Sequence, residues 1–158
     1  MRSIATRVGV ISDTHGLLRC EAVAALTGSE LIIHSGDIGS LAVLEGLQSI
    51  APVVAIRGNN DKGAWAARLR PCEVVEVGEA TLYVVHDLGE LDLDPATAGF
   101  QAVIAGHSHR PTIDMRKGVL YVNAGSAGPR RFSLPITVAC LEVVSTEVAA
   151  RIIELRAA

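Results

Sequence analysis

The sequence predicts an α/β chain in which two packed sheets are flanked by helices, and three observations carry that reading. Short β-branched runs alternate with Ala- and Leu-rich stretches in the first half, and the second half consists mostly of strands separated by turn formers. Polar Asp, Asn and His residues also stand directly after the apolar runs, where open α/β sheets place their ligands. A chain of 158 residues, 49% of them apolar, suits one domain over residues 1–158 with a core that needs no staples.

Residues 7–12 (Arg-Val-Gly-Val-Ile-Ser), 30–34 (Glu-Leu-Ile-Ile-His) and 52–57 (Pro-Val-Val-Ala-Ile-Arg) are short, β-branched and bounded by turn residues, so they read as buried strands. Between them, Leu18–Thr27 is rich in Ala and Leu and stops at Gly28, while Leu41–Ile50 follows Ser40, a good helix N-cap. Strand, helix, strand, helix, strand implies parallel βαβ units. A third helix is expected over Ala64–Leu69, because Pro71 forbids continuation. Residues 72–77 and 80–86 flank Gly78-Glu79 as a hairpin, and a short helix opens at Asp94-Pro95, stops at Gly99 and leads into a strand at 101–105. Residues 111–115 and 119–122 pair across Arg116-Lys117-Gly118, and 135–144 with 147–155 across Ser145-Thr146. The last segment contains helix-favouring alanines, yet the alternation of Val148, Ala150 and Ile152 favours strand.

Composition narrows the function. A formal net charge of -3 supplies no global basic field, and the aromatics Trp65, Tyr83, Phe100, Tyr121 and Phe132 are scattered, so long nucleic acid is not an expected partner. Cys20, Cys72 and Cys140 are odd in number and far apart, which fits reduced core cysteines better than a disulfide framework or a thiolate zinc site. The segment Met1–Arg7 and the run Val8-Gly9-Val10-Ile11 are too short for a signal-peptide core or a membrane span. The expectation is a soluble, cytoplasmic protein without a membrane partner, and a homo-oligomer is the usual state of such a domain.

The chemistry-bearing residues gather at strand ends. Asp13 and His15 lie two apart after the first strand, Asp37 follows the second through Gly36, and Asn59 follows the third through Gly58. His86 closes the hairpin strand, and His107 and His109 follow the 101–105 strand through Gly106. A carboxylate at Asp37 has two oxygens and can bridge two cations, while glycine lets its loop come close. This set partitions into one ion held by Asp13, His15, Asp37 and His109 and another held by Asp37, Asn59, His86 and His107. Mixed Asp, Asn and His ligands without thiolate suit Mn²⁺, Fe, Ni²⁺ or Zn²⁺ better than Ca²⁺ or Mg²⁺. His34 sits inside its strand and reads as a hydrogen-bonding support, not a ligand.

In order, the motifs Asp-x-His (13–15), Gly-Asp (36–37), Gly-Asn-x-Asp (58–61), His86 and Gly-His-x-His (106–109) resemble those of the calcineurin-like metallophosphoesterases. The small size, the His-x-Gly-Asp turn at 34–37 and the Asn-x-Gly-Ser turn at 123–126 make the compact YfcE-type phosphodiesterases the most similar branch. That resemblance implies a four-layer α/β/β/α sandwich with a binuclear centre at the sheet edge, two divalent ions (Mn²⁺ foremost) and hydrolysis of a small phosphodiester by water or hydroxide held between them. Asp37, Asn59 and His107 then belong to the metal-centred catalytic group. Phosphomonoester hydrolysis by the same site, and a non-catalytic scaffold similar to the retromer metallophosphoesterase-like subunit, are the alternatives. Complete occupancy of the expected ligand positions favours the enzyme.

One residue departs from the pattern. Many members of this superfamily have His after the Asn of the third motif and use it near the leaving group; here the residue is Asn60. Asn cannot transfer a proton, so Asn60 is a candidate for contact with substrate without acid catalysis, and good leaving groups such as aryl or nucleotide-like esters are the expected preference. Arg130, in Gly128-Pro129-Arg130-Arg131, is a candidate contact for a substrate phosphate, with solvated surface arginine as the other reading; Arg57, Arg110 and Arg131 are placed similarly. Asp61 is as readily a loop-capping acceptor as a catalytic group, and Asn123–Gly128 reads as a pocket-lining loop or as a plain turn.

Overall fold

A computed structural model describes residues 4–156, so Met1–Ser3 of the amino-terminal segment lie outside the described residues. Its strands are β1 (Thr6–Ile11), β2 (Leu31–His34), β3 (Val53–Ala55), β4 (Cys72–Val77), β5 (Ala80–Val85), β6 (Ala102–Ala105), β7 (Thr112–Arg116), β8 (Val119–Asn123), β9 (Thr137–Val144) and β10 (Glu147–Glu154). The helices are α1 (Cys20–Leu26), α2 (Leu41–Gln48), α3 (Ala64–Ala67) and α4 (Pro95–Ala98), with a 3₁₀ turn at Leu88–Glu90. The strands form two five-stranded mixed sheets in the orders β10-β9-β1-β2-β3 and β4-β5-β6-β8-β7. Within them β1-β2-β3 and β5-β6-β8 are parallel, and the remaining pairs are antiparallel.

Three apolar layers hold these elements. Val10, Ile33, Leu82, Ile104, Val122 and Leu141 are buried between the sheets. Helices α1 and α2 cover the outer face of the first sheet through Ala22, Leu26, Val43 and Leu47 against Ile11, Ile32 and Val138, and Trp65 and Leu69 extend this layer. The second sheet's outer face, with Tyr83, Val85, Val103 and Val119, is covered by Leu88, Leu91, Leu93, Ala96 and Phe100. The result is the four-layer α/β/β/α sandwich. Parallel strands buried on both faces explain the near-continuous Val and Ile runs in the sequence.

Most boundaries fall within two residues of the expectation. Helix α1 begins at Cys20, not Leu18, because Arg19 is extended (φ -73°, ψ 146°) and serves as its N-cap. The carboxy-terminal hairpin is strand throughout; Val148, Ala150 and Ile152 pack against the inter-sheet core, and that burial overrides alanine's helix propensity. Cys20, Cys72 and Cys140 are all free, and only Cys140 is buried. No helix among the described residues is long and apolar enough to cross a membrane.

Leu82 is fully buried between the sheets, so Leu82→Ala is expected to lower the unfolding free energy by about 2–5 kcal/mol. Urea denaturation followed by circular dichroism checks this.

Candidate metal centre

The carboxyl ends of the parallel strands from both sheets meet at one edge. Backbone hydrogen bonds lace the loops together there: Asp13 N–H donates to Gly36 O at 3.0 Å, His15 N–H to Asp37 O at 3.0 Å and Gly106 N–H to His86 O at 2.9 Å. Ser35 Oγ donates across the gap between sheets to Ala105 O at 3.2 Å.

Five of the residues expected as ligands sit on left-handed backbone: Asp13 (φ 55°), His15 (47°), Asp37 (56°), His107 (71°) and His109 (63°). Such values are uncommon for residues with a Cβ and persist only where surrounding structure enforces them, so each loop turns sharply enough to throw its side chain inward. Close approach needs glycine in two places. A Cβ on Gly58 would lie 2.2 Å from Asp37 Oδ1, and one on Gly106 would lie 2.1 Å from Ser12 Oγ.

Each carboxylate is pinned by hydrogen bonds and turns one oxygen towards the imidazoles. Asp13 Oδ2 accepts from Ser12 Oγ at 2.7 Å and His107 N–H at 3.1 Å. Its Oδ1 stands 3.4 Å from His109 Nε2, 3.9 Å from His86 Nε2 and 4.0 Å from His15 Nε2. Asp37 Oδ1 accepts from Asn60 N–H at 2.9 Å, while its Oδ2 lies 3.3 Å from His86 Nε2 and 3.9 Å from His15 Nε2. Two groups that can hold a cation emerge, Asp13-His15-His109 and Asp13-Asp37-His86. Asp13 thus stands in both groups, whereas the sequence pattern gave the shared position to Asp37 alone. Asp13 Oδ1, His15 Nε2 and His86 Nε2 are buried without a hydrogen-bond partner among the described residues. Unpaired buried acceptors and donors are costly, and this donor set fits divalent cations.

Asn59 and His107 stand further out. With Arg57, Pro71, Asp87 and Glu90 they line an adjoining cleft of ≈ 410 Å³ that also reaches His86. The His107 ring packs edge-on to His86 at 5.2 Å between centroids, and its Nε2 lies 3.7 Å from Asp87 Oδ2. Asp87 itself escaped the sequence reading, as did Ser12 and Ser35; their positions, each next to an expected site residue or glycine turn, were the available signal.

The imidazoles are held by their second nitrogens. His86 Nδ1 donates to Ser35 O at 2.7 Å, which leaves Nε2 towards the carboxylates. His34 is fully buried: Gly36 N–H donates to its Nδ1 at 3.1 Å, so Nε2 carries the proton and meets Thr14 Oγ1 at 2.9 Å, and Thr14 donates on to Ile38 O at 2.7 Å. With both nitrogens engaged, His34 supports the loops, as its place within a strand implied. Asp61 accepts from Gly39 N–H and Gly58 N–H, both at 2.9 Å, and so ties the loops after β2 and β3 together. Asn123 donates to Gly106 O at 2.9 Å and Ser108 Oγ at 3.1 Å, bracing the His107–His109 loop. Arg130 reaches its own loop, donating to Leu134 O at 3.3 Å. The Asn60 carboxamide donates to Asp37 Oδ2 at 3.0 Å.

Burial and mutual charge shift these groups apart. Burial holds the Asp13 carboxyl above its ordinary value. Burial also opposes ionisation of Asp37, yet the closeness of His86 and the two Asn60 donors prevail and hold it below the usual carboxylate range. Desolvation works against charge on His86, but Asp37, the Ser35 carbonyl and Asp13 raise it to about 9. Desolvation, then His86, lowers His34 to about 3, and desolvation likewise lowers His109, with Arg131 contributing.

The chain matches the calcineurin-like phosphoesterase superfamily domain over residues 6–146. It is 33% identical over 132 residues to the probable metallophosphoesterase MJ0623 of Methanocaldococcus jannaschii, covering 75% of this chain and 67% of that protein. It is 26% identical over 137 residues to phosphodiesterase MJ0936 of the same organism, covering 75% and 82% respectively. Its fold is similar to that of Vacuolar Protein Sorting 29 from Cryptosporidium parvum, with a TM-score of 0.81, 18% identity and coverage of 96% and 92%.

A histidine raised to about 9 stabilises the fold fully below its ordinary value of 6.5, and this contribution is lost as pH rises through 9. Chelator-treated protein is therefore expected to lose thermal stability between those limits, and His86→Gln to flatten that part of the profile in melting scans. Strand-end loops of both sheets converge on a cluster of Asp and His shaped for divalent cations, and this chain belongs to the calcineurin-like phosphoesterase superfamily.

Proposed function

We propose that this chain hydrolyses small phosphodiesters at a centre of two divalent cations, Mn²⁺ foremost, with Ni²⁺, Fe or Zn²⁺ as alternatives. The observation that carries the reading is the convergence of Asp13, His15, Asp37, His86 and His109 with buried ligand atoms left unpaired. Asp13, His15, Asp37 and His109 would hold one ion, and Asp37, His86, Asn59 and His107 the other, with Asp13 close enough to serve both. Cations there supply Lewis acidity towards the phosphoryl oxygens and lower the pKa of a bound water.

The chain's own residues do the positioning. Ser35 fixes the tautomer of His86 so that Nε2 faces inward, and Ser12 with the His107 N–H holds Asp13 so that Oδ1 does. The cleft lined by Asn59, Asp87 and His107 offers room for the departing alcohol beside these groups. The third motif carries Asn60, a carboxamide, where many superfamily members carry a proton-donating His, which favours leaving groups that depart without protonation. The name of the similar M. jannaschii phosphodiesterase supports diesters over monoesters. A cytoplasmic setting agrees with three free thiols.

The likeness to Vacuolar Protein Sorting 29 favours a second reading, a scaffold on the same fold. The two separate in one experiment: metal-stripped protein is assayed on aryl and alkyl mono- and diesters with Mn²⁺, Ni²⁺, Zn²⁺ or Mg²⁺ restored. The expected result is metal-dependent turnover, faster on aryl diesters, with Asp37→Ala lowering it by about 100-fold or more. Silence with every metal and ester supports the scaffold, and turnover indifferent to Asp37→Ala removes the binuclear mechanism.

A further inference from the structure

We propose that Asn60 is a positioning residue that clamps the Asp37 carboxylate for divalent cations, so that its contribution is read in metal affinity and not in leaving-group chemistry. The inference rests on the metal-centre reading above and assigns a task to the residue that departs from the superfamily's usual His.

One residue supplies a donor to each oxygen of the same carboxylate. The Asn60 backbone N–H donates to Asp37 Oδ1 at 2.9 Å, and its side-chain Nδ2 donates to Oδ2 at 3.0 Å. A carboxylate held at one oxygen can still swivel about that bond; held at both, its plane is fixed. The orientation so fixed turns Oδ2 towards His86 Nε2 at 3.3 Å and His15 Nε2 at 3.9 Å, between the two groups of imidazoles. Oδ2 keeps lone-pair capacity beyond the one amide N–H it accepts, so the clamp and a cation are compatible. Hydrogen bonds that orient a ligating carboxylate commonly govern metal affinity by about 10–100-fold.

The clamp is itself anchored. Asp61, the next residue, accepts from Gly39 N–H and Gly58 N–H and fixes the loop that carries Asn60 to the loop that carries Asp37. Gly58 lets the two loops touch, since any Cβ there would collide with the Asp37 backbone and carboxylate. With its amide N–H committed to Asp37, the Asn60 side chain is turned towards the carboxylate and not to a departing alkoxide. Its exposure means that truncation removes little packing.

The test uses metal-stripped wild-type protein, Asn60→Ala and Asn60→His. Asn60→Ala keeps the backbone N–H bond and removes only the side-chain donor; Asn60→His restores a ring N–H. Mn²⁺ is titrated by calorimetry, and turnover is measured on aryl diesters graded by leaving-group pKa. The expected result is Mn²⁺ affinity weakened by about tenfold or more in Asn60→Ala, most of it recovered in Asn60→His, and a dependence of rate on leaving group at saturating metal that is the same in Asn60→Ala as in wild type. Mn²⁺ affinity within twofold of wild type in Asn60→Ala would overturn the clamp, as would a steeper leaving-group dependence with affinity intact. Absence of Mn²⁺ uptake by the wild-type protein would overturn the centre itself, which separates that failure from a failure of Asn60.

Discussion

Two buried carboxylates facing three imidazoles impose the constraint on which the rest of this structure depends. Asp13 is wholly buried and Asp37 2% exposed, and charge in such surroundings is tolerated only when paired and hydrogen-bonded. The protein meets this by pinning the carboxylates with neutral donors and by setting His86, whose pKa their proximity raises, within reach of both. A divalent ion bound through His86 Nε2 would need that nitrogen unprotonated, so ion uptake and proton release would be linked.

The scaffold's task is to bring such expensive loops together without letting them relax. Parallel strands β1-β2-β3 and β5-β6-β8 end at a common edge, and the sandwich core behind them is filled by Val, Ile and Leu that tolerate little shift. Left-handed turns at Asp13, Asp37, His107 and His109 then aim side chains that an extended backbone would send elsewhere. Serine and threonine complete the arrangement: Ser12, Thr14 and Ser35 are fully buried and each hydrogen-bonds to a site residue or its loop.

Much of this was legible in the sequence because burial leaves a periodic trace. Runs such as Val8–Ile11 and Leu31–Ile33 announce strands covered on both faces, and the helix stops at Gly28 and Gly99 follow from backbone conformations that glycine adopts freely. The ten strands and four α-helices among the described residues lie within a few residues of where the sequence predicts them, whereas the 3₁₀ turn at Leu88–Glu90 has no such trace: one Asp87 side chain capping Gly89 N–H at 2.9 Å leaves no periodicity to detect. The ligand candidates were legible as strand-end residue types. Which oxygen faces which imidazole was not, because the carboxylates of Asp13 and Asp37 are oriented by residues distant in sequence, His107 N–H for Asp13 and Asn60 for Asp37. Asn60 shows the same limit. Its residue type excludes acid catalysis, but its attachment to Asp37 depends on how the loops after β2 and β3 meet.

Charge also bears on what the centre binds. The chain has a net charge of -3, and the cleft beside His86 and His107 sets Arg57 against Asp87 and Glu90. A phosphodiester anion entering that cleft would meet more negative than positive side chains, with Asp13 and Asp37 beyond them. Divalent cations at the cluster would reverse this local field, since each would bring about two positive charges to the point of contact. On the proposed reading, anion binding would therefore depend on the ions far more than it would in a pocket lined by arginine. The geometry of the Asp37 carboxylate, which only a few hydrogen bonds maintain, would then govern both what the site holds and what it can act on.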